Sequence, residues 1–321
     1  MNETAATKPA RAPMRLLTAS KQELVGQYNA QAEAVTSINA SITMTLTAGS
    51  SYTGVIKKYH QVTGFILAQK PSDIRVIGQA PVVGTNIFDM ESDGTTFHIF
   101  IPSENKFVVG PANLERPSEK PIENLRPQHL TDAIFWRAIP AGAPLLFEEA
   151  SDGPGRYYVL TVVRAGGEKQ GGEASEAAAG GDSGAAAGGA ADDNNPDWKI
   201  ARKIWFDRSS AVTTQNPSLA GQLEIARIET YDASGKIESD VRYAGWDVFG
   251  GDKYPRQISI DRPESDYQLQ IGITKLVIGQ AVTADRFVLR QPAGTQLVNV
   301  GEENRDSSGG GAGGDGGDKA R

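Results

Sequence analysis

Ser41-Ile42-Thr43-Met44-Thr45-Leu46-Thr47 is the stretch that decides the fold class. Apolar Ile42, Met44 and Leu46 alternate with hydroxyl-bearing residues, and only an extended strand turns a period of two into two distinct faces. One face asks for burial and the other tolerates water. Just upstream the period is different. Ser20-Lys21-Gln22-Glu23 is a capping box, with serine at the N-cap and glutamate three positions on. Leu24, Tyr28, Ala32, Val35 and Ile38 then recur at spacings of four, four, three and three, which predicts one amphipathic helix.

Short strands are predicted downstream over 54–59, 64–69, 74–78, 85–92, 96–101 and 106–110. Asp93-Gly94 is a hairpin turn, because glycine takes the positive φ that such turns need. Between 121 and 138 the period returns to helical, with Leu125, Leu130, Ile134 and Phe135 as the apolar set and Arg126-Pro127 dividing a turn from a helix. Strands resume over 156–164, 198–207, 223–231, 238–246, 256–261, 265–277 and 287–289. Nearly all connections are short, as in an antiparallel meander. A sheet of this many strands curls, and helices are then needed to cover its concave face. The expected fold class is therefore mainly β with a few helices (α+β): an incomplete antiparallel β-barrel with helices over the concave side.

The segment 165–196 is almost wholly Gly, Ala, Ser, Glu and Asp, and buries too little apolar area to offset backbone ordering. It is expected to be a disordered insertion in a hairpin loop, where a long excursion costs the fold little. Residues 302–321 are expected to be a disordered Gly-rich tail and 1–18 a disordered tether, leaving 19–164 and 197–301 as a single domain.

The formal net charge is −7, from 32 basic and 39 acidic residues, and there is no basic stripe with interleaved aromatics, which argues against nucleic acid. There is no cysteine, so disulfides and thiolate metal sites are excluded. No apolar run approaches a membrane span, and the opening Met-Asn-Glu-Thr-Ala-Ala lacks the core of a signal peptide.

Catalytic motifs are not legible. His60, His98 and His129 are far apart in sequence, and the ordinary reading of His60 and His98 is that they face solvent. Ser234-Gly235-Lys236 lacks the glycine-rich lead of a phosphate loop and is a turn. Asp261/Glu264 and Glu302/Glu303 are loop or tail charges that nothing selects as a catalytic pair. Leu130, Ile134, Phe135 and Trp136 are either the ordinary core face of their helix or a retractable plug over a cavity.

Several segments together resemble the LolA/LolB-type lipoprotein carriers and receptors of the Gram-negative envelope. Ala34-Val35-Thr36-Ser37-Ile38-Asn39-Ala40-Ser41-Ile42 looks like the family's opening helix running into its first strand. Gly64-Phe65-Ile66-Leu67-Ala68-Gln69-Lys70-Pro71 followed by Ile74-Arg75-Val76 resembles its strand, Lys/Arg-Pro, strand element. Ser92-Asp93-Gly94-Thr95-Thr96-Phe97-His98-Ile99-Phe100-Ile101-Pro102 is similar to its Asp-Gly hairpin, aromatic strand and proline. Val282-Thr283-Ala284-Asp285-Arg286-Phe287 with Gln291-Pro292-Ala293-Gly294 resembles its closing strand.

The resemblance implies a half-barrel around an apolar cavity, lidded by short helices, that receives acyl chains without cofactor, metal or catalysis. At about 0.8 kcal/mol per buried methylene, one acyl chain offers roughly 10 kcal/mol of shelter. Phe65, Leu67, Ile74, Val76, Phe97, Ile99, Leu130 and Ile134 are the residues expected to line the cavity and lid. The expected partners are lipid or lipoprotein acyl chains and membrane-bound transport proteins, with no nucleic acid. The chain is expected to be a monomer at the periplasmic side of the outer membrane, with a lipid-bearing cysteine upstream of Met1 and residues before Leu16 as its tether. A periplasmic sensor of a signalling partner and a structural outer-membrane lipoprotein are the alternatives on the same fold.

Overall fold

The computed structural model describes residues 16–49, 57–112, 126–165, 197–209 and 222–300. Most of the expected tether, the insertion beyond 165, the tail, residues 54–56 and Leu125 lie outside them. In chain order the elements are α1 (Lys21–Ala34), β1 (Ser37–Ala48), β2 (Lys57–Lys58), β3 (Val62–Gln69), β4 (Asp73–Gln79), β5 (Asn86–Ser92), β6 (Thr96–Ile101) and β7 (Lys106–Pro111). Then follow α2 (Pro127–Ile134), β8 (Leu145–Asp152), β9 (Gly155–Ala165), β10 (Trp198–Asp207), β11 (Glu224–Tyr231), β12 (Ile237–Phe249), β13 (Asp252–Arg262), β14 (Tyr267–Ile278) and β15 (Gln296–Asn299).

Among the described residues all fifteen strands join one sheet, in the order β15-β7-β6-β5-β4-β3-β1-β14-β13-β12-β11-β10-β9-β8, with β2 on β1. β1 holds two antiparallel meanders together by pairing with β3 on one edge and β14 on the other. β8 and β15 end the sheet without pairing to each other, so the curved sheet stays open.

One apolar face runs through the whole sheet because each strand keeps its alternation in register with the next. Ile42, Met44 and Leu46 sit opposite Ile273, Ile271 and Leu269, and Ile38 and Ala40 sit opposite Ala68 and Ile66. These side chains are all buried and belong to one core cluster. α1 and α2 cover this face. The predicted capping box is formed, with Glu23 N donating to Ser20 Oγ and Ser20 N donating to the Glu23 carboxylate.

Three expectations change. α1 ends at Ala34, and Ile38 belongs to β1, because Ser37 is already tied into the sheet by bonds to Gly279 N and Gln280 O. β8 escapes the sequence because it is a mostly exposed edge strand carrying Glu148, Glu149 and Asp152, with no buried alternation to read. The closing strand predicted at 287–289 is instead the end of a strap. After a 3₁₀ turn at Ala284–Phe287 the chain continues to β15, which pairs in parallel with β7.

The strap crosses the outer face of the sheet. Val282 N donates to Gln69 Oε1, and Arg75 donates to the carbonyl of Arg286 while gripping Asp89 in bidentate fashion at 3.0 and 2.8 Å. Outside surface here is therefore partly covered, and Phe287 is buried against it.

Two glycines set how closely β4 meets its neighbours, Gly64 on the β3 side and Gly78 on the β5 side. A Cβ on Gly64 would run into the Ile77 carbonyl, and one on Gly78 into the Phe88 ring. Gly64→Ala is expected to destabilise the protein by about 1–3 kcal/mol, seen as a lower urea midpoint at unchanged slope. Gly26, exposed on α1 with nothing near its Cα, provides the opposite case. Gly26→Ala is expected to stabilise by about 0.5–1 kcal/mol.

Candidate functional site: the plugged concave face

α2 lies in the concavity and touches both sides of it. It packs on β4 and β5 of the first meander and is bonded to β12, β13 and β14 of the second. Its sequence explains both ends. Pro127 at the first helical position needs no N–H partner, and Arg126 stays extended before it. At the other end, helix carbonyls lack intrahelical donors. Tyr243 Oη donates to Ala133 O at 2.9 Å and Tyr254 Oη to Ile134 O at 3.0 Å, so the sheet supplies the missing donors. Burial raises both phenol pKa values, so each hydroxyl keeps its proton.

Leu130, Ala133, Ile134, Phe135 and Trp136 are buried against the concave face. Trp136 stacks on Tyr254 at 5.6 Å and meets Tyr243 edge-on at 5.8 Å. The segment after α2 is held by polar latches. Arg202 donates to the carbonyls of Arg137 (2.6 Å) and Ala138 (3.0 Å), and Asn29 of α1 exchanges two hydrogen bonds with Ile139. Lys70 donates to Ala32 O at the end of α1 and lies over the Phe135 ring at 5.7 Å. An open cleft of about 560 Å³ follows α2 on that side, lined by Lys70, Pro71, Thr131, Asp132, Phe135 and Ala138 among others.

Six of the eight side chains expected to line a cavity converge here. Ile74, Val76, Phe97, Ile99, Leu130 and Ile134 are all buried in the same core cluster, the first four from the sheet and the last two from α2. Phe65 and Leu67 do not join them. They project from the opposite face of β3, where Phe65 is 47% exposed, while Ile66 and Ala68 point inward. The phase slips because β3 is apolar on both faces. Leu67 sits between Gln69 and Arg75, the residues that hold the strap, so its outer side also meets protein.

The histidines divide. His60 is exposed, and His98 is half-buried on the outer face and paired with Glu91 instead of standing free in solvent. His129, on the first turn of α2, is engaged on both ring nitrogens. Arg262 donates to Nε2 at 3.0 Å, so the remaining proton sits on Nδ1, 2.5 Å from Tyr267 Oη. Desolvation, then the charges of Arg262 and Arg126, pushes its pKa well below 6.5. Among the described residues no group of three or more His, Cys, Asp or Glu side chains is placed to hold a metal, and no helix is long and apolar enough to cross a membrane.

Sequence reasoning missed the residues that fasten the plug. Tyr267 continues the inward alternation of Leu269 and Ile271, and Arg262 follows Ile258 and Ile260 in phase. A cation where the alternation calls for an apolar residue was the legible sign of a buried charge.

This geometry defines a class: an unclosed antiparallel half-barrel whose concave face is filled by a helix from its own chain. The chain is similar to a LolA superfamily protein from Nitrosomonas europaea, at 12% identity over 85% of this chain and 99% of that one, with a TM-score of 0.44. It is also similar to a DUF1329 family protein from Desulfovibrio piger (11% identity, 83% and 95% covered, TM-score 0.48). A third likeness is to a putative outer membrane lipoprotein-sorting protein domain from Vibrio parahaemolyticus (10% identity, 83% and 94% covered, TM-score 0.44). No protein-family model and no curated protein matches the chain.

The state of His129 is open to titration. The unfolded chain takes up a proton near pH 6.5 and the folded protein only far below it, so folding stability is full above 6.5 and falls as pH drops beneath it. The loss is expected to reach at most about 1.4 kcal/mol per pH unit from this group. Chemical denaturation of wild type and His129→Gln from pH 7 to 5 measures it. The variant is expected to show a shallower fall, and parallel curves would contradict a neutral buried His129.

Proposed function

We propose that the chain is a non-enzymatic envelope protein that shelters acyl chains of lipid or lipoprotein against its concave face, with α2 as the exchangeable plug. The observation that carries this reading is how α2 is docked. Leu130, Ile134, Phe135 and Trp136 fill apolar surface, yet Arg126 Nη1 and Gln128 Oε1 are buried there with no hydrogen-bond partner. Each such unpaired atom costs about 1–3 kcal/mol and weakens the docking of this short helix. Four large side chains at about 1.5–3 kcal/mol each give roughly 6–12 kcal/mol, close to the shelter that one acyl chain gains. Two occupants of similar worth can replace one another on the same surface.

Two further features support the reading. The cleft beside α2 gives a ligand a place to begin. The tip between β4 and β5, Pro81-Val82-Val83, leaves Val82 and Val83 fully or largely exposed, as an apolar contact with a membrane or a partner requires. A periplasmic location and transfer of lipoproteins at the outer membrane complete the proposal. The protein works as a monomer with no cofactor and no nucleic acid.

Native mass spectrometry of protein purified without detergent tests carriage. A co-purifying acylated species that is lost in Ile134→Asp supports it. Loosening the plug gives a second, directional readout. Tyr254→Phe removes the donor to Ile134 O, worth about 1 kcal/mol, and is expected to tighten binding of a fluorescent fatty acid about fivefold. An empty protein, with no uptake in wild type or Tyr254→Phe, contradicts the proposal and leaves the structural-lipoprotein reading.

A further inference from the structure

Beneath the first turn of α2 the concave face changes character. Arg126 is only 4% exposed, its Nη1 has no hydrogen-bond partner, and no carboxylate among the described residues bonds it. Its guanidinium rests on the Phe97 ring at 5.5 Å. Arg262 is turned into the same place. One of its amino groups is bonded to His129 and, at 3.4 Å, to Glu238, while its Nε is buried without a partner. The charges of both arginines lower the pKa of His129 and partly offset the rise that burial gives Tyr267, while burial and the charge of Arg262 lower that of Arg126. Because Nδ1 of His129 donates to Tyr267 Oη, the phenolic proton is left free to donate elsewhere.

Positive charge predominates here among the described residues, with the Glu238 carboxylate at 3.4 Å from Arg262 as its counterpart. α2 presents its positive end, has no acidic residue in its first turn and no side-chain cap, and Arg126 adds a cation where a carboxylate is the stabilising choice. The buried guanidinium of Arg126 and the largely buried one of Arg262, each with an unused N–H donor, a spare phenolic donor and a helix N-terminus converge with one long carboxylate contact to offset them. Buried charge is tolerated best when it is paired, and among the described residues Arg126 has no oxyanion bonded to it.

We propose that Arg126, Arg262 and Tyr267 form an oxyanion subsite that takes the phosphate of an amphiphilic ligand while the first turn of α2 stays docked, the acyl chain lying on the concave face that the rest of α2, with Ile134, Phe135 and Trp136, gives up. The acyl part rests on the carrier reading above, whereas the anionic part stands on these residues alone. Phosphate is the fitting class because its several oxygens can accept from two guanidinium groups and a hydroxyl together. Phe97, already assigned to the apolar surface, carries Arg126 on its ring and so places the charged and apolar parts of one ligand side by side.

Hexadecyl phosphate and hexadecanol, which share a chain and differ in the headgroup, make the test with full-length protein, alongside inorganic phosphate. The wild type is expected to bind hexadecyl phosphate about tenfold or more tightly than hexadecanol, and Arg126→Gln to bind both alike. Arg126→Lys is expected to keep part of the preference. Ligand-free Arg126→Gln is expected to melt at the wild-type temperature or above, since it removes an unpaired buried cation. Equal binding of the two ligands by the wild type overturns the subsite, and so does a parallel loss of both in Arg126→Gln. If neither alkyl ligand binds but inorganic phosphate raises the melting temperature of the wild type and not of Arg126→Gln, the oxyanion site stands and acyl carriage fails. Silence from all three ligands overturns both.

Discussion

A sheet that does not close must cover one apolar face, and that burial governs the rest of the molecule. Closure would have let the strands bury their side chains against one another. Here β8 and β15 remain apart, and the face running from Val108 through Met44 to Ile204 needs another partner. α1 and α2 are that partner. The sheet itself is made continuous by β1, whose apolar alternation from Ile38 to Ala48 faces the concavity while both of its edges are paired.

The two helices cover this face in different ways. α1 is buried through Leu24, Tyr28 and Ala32, is capped at its start, and bonds Leu223 O through Gln27. α2 is short, depends on tyrosines from the sheet to satisfy its last carbonyls, and leaves two buried polar atoms unpaired at its start, Arg126 Nη1 and Gln128 Oε1, where α1 leaves one, Gln31 Oε1. A helix of this length has little stability of its own and exists because the surface beneath it does. The same surface can therefore be offered to another apolar body. Around the oxyanion subsite the molecule holds charge that gains a counterpart only when a ligand arrives, so the docked plug and the empty subsite describe one ligand-free state.

Strand content was legible where one face is buried and the other is wet, as in β1, β6 and β14. It failed where that contrast is missing. β8 has no buried alternation, and β15 is a four-residue edge strand whose partner lies far back in the chain at β7. β3 is apolar on both faces and the strap lies outside part of it, so bulky Phe65 and Leu67 looked inward when Ile66 and the smaller Gly64 and Ala68 are the residues that do. The concave set from β4, β6 and α2 was readable because Ile74 and Val76 flank Arg75 and Phe97 and Ile99 flank His98. The fastening of α2 was not. Hydrogen bonds from Tyr243 and Tyr254 to helix carbonyls join residues more than a hundred positions apart, and no local pattern encodes them.

The central claim is that α2 and an acyl chain occupy the same surface in turn. Hydrogen exchange at the amides of Leu130 to Phe135, with and without saturating hexadecyl phosphate, tests it most directly. The account predicts that α2 amides exchange faster in the loaded protein while those of β1 and β14 stay protected, because the ligand displaces the helix and leaves the sheet in place. Stoichiometric ligand binding with α2 equally or better protected would contradict it, and would place the ligand somewhere other than beneath the plug.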